Sequence, residues 1–159
     1  QAKAILDDLK VPLLIHQPRY SMFDRAIERD SLLYTLDELG VGSIVFSPLA
    51  MGLLTDRYLS DVPAGSRADR KQFMTADDIT EDYRARARAL NEIAAARGQS
   101  LAQLALTWVL RWPGVTSALI GASSVAQLEQ NLGAVNAQPL TADELAAIDE
   151  LAPAHIRLG

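Results

Sequence analysis

Three short apolar runs, Val11–Gln17, Ser43–Phe46 and Val115–Ile120, recur along the chain with segments of helical period between them. This alternation constrains the fold more than any other feature. Strands of continuous apolar character are covered on both faces, and the intervening segments are long enough to cross back over the sheet as helices. The chain therefore reads as α/β, a parallel sheet covered by helices, in the order α-β-α-β-α-α-β-α-α. Three parallel strands alone leave two bare edges. The sheet either pairs with something else or belongs to a larger barrel.

Helix boundaries are marked by capping residues. Gln1–Lys10, with Ala4, Ile5 and Leu9 on one side, reads as the tail of a helix. Pro18–Asp30 is a polar segment. Ser31–Leu39 carries Leu32, Leu33, Leu36 and Leu39 and stops at Gly40. Ser47–Thr75 is a long irregular stretch, and Thr75 with Asp78 caps a helix running to about Arg97. Ser100 with Gln103 opens the next helix, with Leu101, Leu104, Ala105, Trp108 and Val109 on one face, ending before Pro113. Ser124 with Gln127 opens another, with Val125, Leu128, Leu132 and Val135 at helical spacing. Thr141 with Glu144 caps a last helix carrying Leu145, Ile148 and Leu151.

Composition excludes several function classes. With 159 residues, 49% of them hydrophobic, the chain suits one domain with a real core. A net charge of −5 speaks against a nucleic-acid partner. No cysteine is present, which rules out a disulfide scaffold, a thiol nucleophile and a thiolate metal site, and fits the cytoplasm. No apolar run reaches the roughly 18 to 20 residues that span a bilayer, so no membrane segment is expected. The chain opens at Gln1 inside a helical pattern and without Met or a signal peptide, which we read as a fragment or a processed start.

Two strand-to-loop junctions carry the chemistry. After Val115–Ile120 come Gly121-Ala122-Ser123-Ser124 and a helix start. Free N–H groups and the helix dipole there favour phosphate, although the same pattern serves any ordinary βα turn. The second strand ends in Phe46-Ser47-Pro48-Leu49-Ala50-Met51-Gly52, where Pro48 stops the strand and Gly52 permits positive φ. If the two strands are neighbours, their loops build one site, as loops after the last two strands do in a TIM barrel. Phe46 then offers a flat face to a planar ring, or else is core.

At this point the sequence resembles the C-terminal half of the aldo/keto reductases, nearest the branch of bacterial aldehyde reductases and potassium-channel β-subunits. The matching segments are IHQPRYSMFDR (Ile15–Arg25), FSPLAMGLLTDRYL (Phe46–Leu59), PAGSR (Pro63–Arg67), RGQSLAQLALTWVL (Arg97–Leu110) and IGASSVAQLEQN (Ile120–Asn131), in order and at matching spacing. The resemblance implies that residues 1–159 are the C-terminal part of one (β/α)8 TIM barrel domain, supplying its sixth, seventh and eighth strands. It also implies NADPH-dependent reduction of an aldehyde or ketone.

Roles follow by the same resemblance. Gln17 would hydrogen-bond the nicotinamide carboxamide, and Phe46 would stack on its ring, where many members have Tyr or Trp. Ser47, Pro48, Leu49, Ala50 and Gly52 would wrap the pyrophosphate, with Arg57 near the phosphates. Arg67 would meet the adenine and the 2′-phosphate, and Gly121 and Ser123 would bind on the 2′-phosphate side. Gln127, Gln130 and Asn131 would frame the adenine; related proteins often carry Glu where Gln130 stands. Arg57, Arg67, Arg70 and Lys71 lie in or beside the long loop of an otherwise acidic chain. Loop arginines are commonly solvated, but Arg57 and Arg67 beside an anion-favouring site point to NADPH over NADH.

The family's catalytic Tyr, Lys, Asp and His come from the first half of the barrel, so no catalytic residue is assigned within 1–159. The missing N-terminal half is thus an expected partner, beside a small carbonyl substrate and a second copy of the chain in a homo-oligomer. His16 should point away from Gln17, since strand neighbours alternate. His155 and His16 form no metal site. Tyr20, Met22 and Phe23 are either an apolar substrate wall or core. The rival reading is a half-barrel without activity, which binds nucleotide or assembles through its strand edges, or a channel-β-like regulatory subunit.

Overall fold

The computed structural model describes residues 1–66, 68–70 and 75–154. Its elements are α1 (Ala2–Asp8), β1 (Ile15–His16), α2 (Ala26–Arg29), α3 (Leu32–Glu38), β2 (Gly42–Phe46), α4 (Glu81–Ala96), α5 (Leu101–Val109), β3 (Ser117–Leu119), α6 (Val125–Leu132) and α7 (Ala142–Leu151). The alternation read from the sequence holds, with α2 added inside the segment expected to be polar coil. The strands form one parallel sheet in the order β1-β2-β3.

Capping explains most boundaries. At α5, Ser100 and Gln103 exchange hydrogen bonds (Ser100 N to Gln103 Oε1, 2.9 Å; Gln103 N to Ser100 Oγ, 3.2 Å), and Thr141 and Glu144 do the same at α7. The expected cap at Thr75 forms but closes only a 3₁₀ turn, Ala76–Asp78. Thr80 starts α4 instead, its Oγ1 accepting from Tyr83 N at 3.2 Å. The first strand is shorter than Val11–Gln17. Lys10 turns at φ +58, and Pro12 and Pro18 have no N–H for a ladder. Pairing with β2 nevertheless resumes beyond β1: Phe46 N donates to Pro18 O (3.0 Å) and Tyr20 N to Phe46 O (3.2 Å).

The register separates two faces. Ile15 lies beside Gly42, Ile44 beside Ser117 and Phe46 beside Leu119, so these residues share a face. Ser43 and Val45 point the other way and are fully buried under the helices. That side holds the core. Trp108, Leu101 and Leu104 of α5 pack with Leu90 of α4, Ile148 of α7 and the Tyr20–Phe23 turn, all at 0 or 1% exposure. Tyr20, Met22 and Phe23 are therefore core rather than a substrate wall.

The other face is open, contrary to the expectation of strands buried on both sides. Ile15, Phe46 and Leu119 are exposed there. The α6 stripe is open too. Val125, Leu128, Leu132 and Val135 are exposed, and Asn131 and Ala134 face inward in their place. The apolar pattern of both features is real, but nothing among the described residues covers it. No helix among the described residues is long and apolar enough to cross a membrane.

Candidate functional site

The C-terminal ends of β2 and β3 open into a cavity of about 840 Å³. One wall is the loop after β2, from Phe46 to Arg57, and the other is Leu119–Ser123 leading into α6, with Gln127. Gly65 and Arg70 close a third side. Because β2 and β3 are hydrogen-bonded neighbours, the two loops that the sequence singled out meet in one place.

The β2 loop is tightly wound. Ser47 (φ +56), Ala50 (φ +47) and Met51 (φ +59) all occupy the left-handed region, which costs non-glycine residues about 1–3 kcal/mol each. Short turns hold the strain: Ala50 N donates to Ser47 O, Gly52 N to Leu49 O (both 2.9 Å), and Thr55 Oγ1 to Gly52 O (2.6 Å). Gly52 sits at φ +100, a conformation that a side chain resists. A winding this strained, held by its own hydrogen bonds, presents backbone groups to the cavity in a fixed arrangement.

Across the cavity, Gly121 has open space where a Cβ would be, so a ligand can approach the backbone closely. Ser124 caps α6, its Oγ accepting from Gln127 N at 3.2 Å. The reciprocal bond expected of a capping box is absent. Gln127 Oε1 turns instead to Ser123, accepting from its N (2.7 Å) and its Oγ (3.0 Å). Ser123 and Gln127 thus hold each other in place on the rim.

Charge distinguishes the cavity from the rest of the surface. The chain carries a net −5, yet the lining includes Arg57 and Arg70 and, among the described residues, no carboxylate. Neither arginine is ion-paired among the described residues, whereas Arg25, Arg97 and Arg111 all are. An aromatic ring, two guanidiniums and a helix N-terminus converge, a set that binds anions carrying a planar group. Among the described residues no group of three His, Cys, Asp or Glu is arranged to hold a metal ion.

Nine expected site residues line the cavity: Phe46, Ser47, Pro48, Leu49, Gly52, Arg57, Gly121, Ser123 and Gln127. Ala50 is buried beneath the loop. Gln17 is exposed just beyond β1, in alternation with Ile15 on the open face, but does not line the cavity. Gln130 is exposed on α6, its carbonyl accepting from Gln103 Nε2 at 2.7 Å, away from the lining. Asn131 is buried with Nδ2 unpartnered and does not reach the lining either. Arg67, Lys71 and His155 lie outside the described residues. Arg70 was visible in the sequence only as a loop cation. The signal that places it is Gly65, whose positive φ (+73) lets the turn fold back, with Arg70 Nη2 3.6 Å from where a Gly65 Cβ would sit.

Residues 1–153 match the model of the aldo/keto reductase family. Proteins named L-glyceraldehyde 3-phosphate reductase from Escherichia coli O157:H7 and from strain K12 are 46% and 47% identical over 150 residues. That alignment covers 92% of this chain and 43% of each relative, so the chain spans less than half their length. An aldo-keto reductase from Bacillus halodurans, solved in its holo form, superposes with a TM-score of 0.67 at 30% identity, covering 97% of this chain and 48% of that one. With a family match over nearly its whole length, and a parallel sheet whose loops meet at its C-terminal edge, the chain belongs to the aldo/keto reductase family.

Proposed function

We propose that this chain is the cofactor-holding part of an NADPH-dependent reductase of aldehydes or ketones. One observation carries the reading: the cavity at the ends of β2 and β3 joins the exposed ring of Phe46 to Arg57, Arg70 and the start of α6, with no carboxylate among the described lining residues. A nicotinamide adenine dinucleotide phosphate has a planar nicotinamide to stack, a second planar ring in its adenine, and three phosphates to neutralise, and this lining supplies a ring face for the first and guanidiniums for the phosphates. When bound, the cofactor supplies a hydride to the carbonyl carbon. The chain's residues supply the rest of the binding. Phe46 offers its face to the nicotinamide, Gln17 stands beside it on the same face of the sheet, the Ser47–Gly52 winding receives the pyrophosphate, and the two guanidiniums meet the charged end.

The proton donor to the carbonyl oxygen is not assigned to a described residue. Tyr20, Tyr58 and Tyr83 are fully buried, and burial raises the Tyr20 and Tyr83 phenols well above their ordinary range. Under our reading the chain forms the last three strands of a (β/α)8 barrel, and the first half brings the acid. The uncovered face of Ile15, Phe46 and Leu119 and the bare α6 stripe support this, as does the greater length of the relatives. The E. coli relatives' name points to small phosphorylated aldehydes as the substrate class, and the cysteine-free composition to a cytoplasmic setting.

The test is an NADPH titration of the full-length chain followed by nicotinamide fluorescence, then turnover with glyceraldehyde 3-phosphate. Arg57→Ala and Arg70→Ala should each weaken NADPH by about ten- to a hundredfold, the range for losing a charged hydrogen bond. Wild-type protein that does not bind NADPH refutes the reading.

A further inference from the structure

We infer that Tyr20 is a positioning residue for Phe46, holding the aromatic floor of the cavity in place from the helical side of the molecule. The inference rests on the reading of Phe46 as the nicotinamide-stacking residue. Its basis is that Tyr20 is fixed at both of its ends. At the main chain, Tyr20 N donates to Phe46 O at 3.2 Å, and Phe46 N donates back to Pro18 O at 3.0 Å. Phe46 is thereby tied to this segment at its own N–H and its own carbonyl, at the last residue before the strained Ser47–Met51 winding.

At the other end, the Tyr20 hydroxyl donates to Glu28 Oε1 and accepts from Arg111 Nη1 at 2.9 Å. Glu28 is itself clamped by Arg111 Nη2 (3.0 Å) and by Arg25 Nε (2.8 Å). Arg25 reaches on to Asp149 Oδ1 (2.6 Å) and Ala152 O (3.1 Å). The Trp108 ring packs beneath, 5.2 Å from the Tyr20 ring and 3.7 Å from the Arg111 guanidinium. The knot therefore joins α2, the end of α5 and α7. A buried polar network that satisfies its members rigidifies what it touches. Tyr20 leads from it to the strand end that carries Phe46, with no exposed surface and with Phe46 O bonded to its main-chain N–H.

The consequence is specific. Loosening the hydroxyl end should misplace the Phe46 ring without touching the phosphate wall. The experiment compares NADPH with 2′,5′-ADP, which has the adenosine phosphates and no nicotinamide, on the full-length protein. Tyr20→Phe should weaken NADPH by about three- to tenfold, part of the worth of a charged hydrogen bond, and leave 2′,5′-ADP unchanged. In a Phe46→Ala background the same substitution should have no further effect on NADPH. Glu28→Gln, which keeps the shape and removes the charge, should repeat the pattern if Tyr20→Phe folds poorly. Equal weakening of both ligands, an undiminished effect without the Phe46 ring, or unchanged NADPH binding each overturns the inference while leaving the cofactor reading intact. Wild-type protein that does not bind NADPH, whether or not it binds 2′,5′-ADP, fells the underlying reading and the inference with it.

Discussion

The two sides of this sheet are built to opposite standards. On the helical side Ser43 and Val45 are fully buried, α5 is packed along nearly its whole length, and charged groups are paired in a closed knot. On the other side Ile15, Phe46 and Leu119 stand exposed, and the elements bordering that face are as open: α6, packed on α5, leaves its apolar stripe uncovered, and Arg57 and Arg70 have no ion-pair partner among the described residues. The first side is a finished interior. The second has the composition of an interior and a binding site without the partners of either. Stability and binding should therefore be separable by mutation, one on each side.

The largest effect belongs to the finished side. Leu104 has no exposed surface and sits mid-helix in α5, so Leu104→Ala should cost about 2–5 kcal/mol in urea unfolding. Leu132 is chemically the same and half exposed, so Leu132→Ala in the isolated 159-residue chain should fall within about 0.5 kcal/mol of wild type. The contrast sharpens in a longer protein that completes the barrel, where Leu132→Ala should approach the cost of Leu104→Ala. If it stays near zero there, the α6 stripe is an outer surface and not a covered one.

The next effect should appear only in binding. Arg70→Ala should lower NADPH affinity by about ten- to a hundredfold and leave the unfolding midpoint in place, because its loss removes a charged hydrogen bond to ligand and no side-chain bond among the described residues. NADH, which lacks the 2′-phosphate, should be less affected. A matched loss of stability would show that the arginine braces the loop and would erase the division between the two sides.

How much of this was legible in the residues follows the same division. The sheet, its parallel sense and the capped helices could be read because periodicity and caps are local, and Ser100–Gln103 and Thr141–Glu144 form as written. The meeting of the two loops was readable once β2 and β3 were taken as neighbours. Three things were not. The Gln127 side chain bonds Ser123 rather than returning to the Ser124 N–H as a capping box would, a choice set by the turn geometry and not by the residue types. Asn131 faces inward because tertiary packing, not the apolar stripe, sets the rotation of α6. The knot of Tyr20, Arg25, Glu28, Arg111 and Asp149 includes a direct bond, Arg25 to Asp149, across 124 positions, and no local pattern predicts such a pairing.

Acid should loosen that knot and leave the open side indifferent. Burial works against the Glu28 carboxylate, but hydrogen bonds from Tyr20, Arg25 and Arg111 outweigh it and hold its pKa below the usual 4.5. A group lowered in the folded state stabilises above its unfolded pKa and loses that contribution as pH falls through the folded one. Stability should therefore decline on acidification below about pH 4.5, and Glu28→Gln should flatten that limb of the profile. Glu144, lowered by its bonds from Arg97 and Thr141, adds to the same limb, so the flattening should be partial. An unchanged profile in Glu28→Gln would mean that Glu28 binds its proton equally well folded and unfolded, so that the knot contributes nothing to the acid limb.

The smallest test sets one cap from each side against the other. Ser100 has a reciprocal partner in Gln103 and opens the most buried helix in the chain, so Ser100→Ala should cost about 1 kcal/mol. Ser124 accepts one bond from Gln127 N, at the edge of the cavity, and the Gln127 side chain is committed to Ser123. Ser124→Ala should cost less than Ser100→Ala in thermal unfolding and should alter NADPH binding, because that cap orients the first turn of α6 toward the ligand. The ordering of the two costs is the informative quantity. If Ser124→Ala is the more destabilising, α6 is held as firmly as α5, and its exposed stripe is not a loosely built face awaiting a partner.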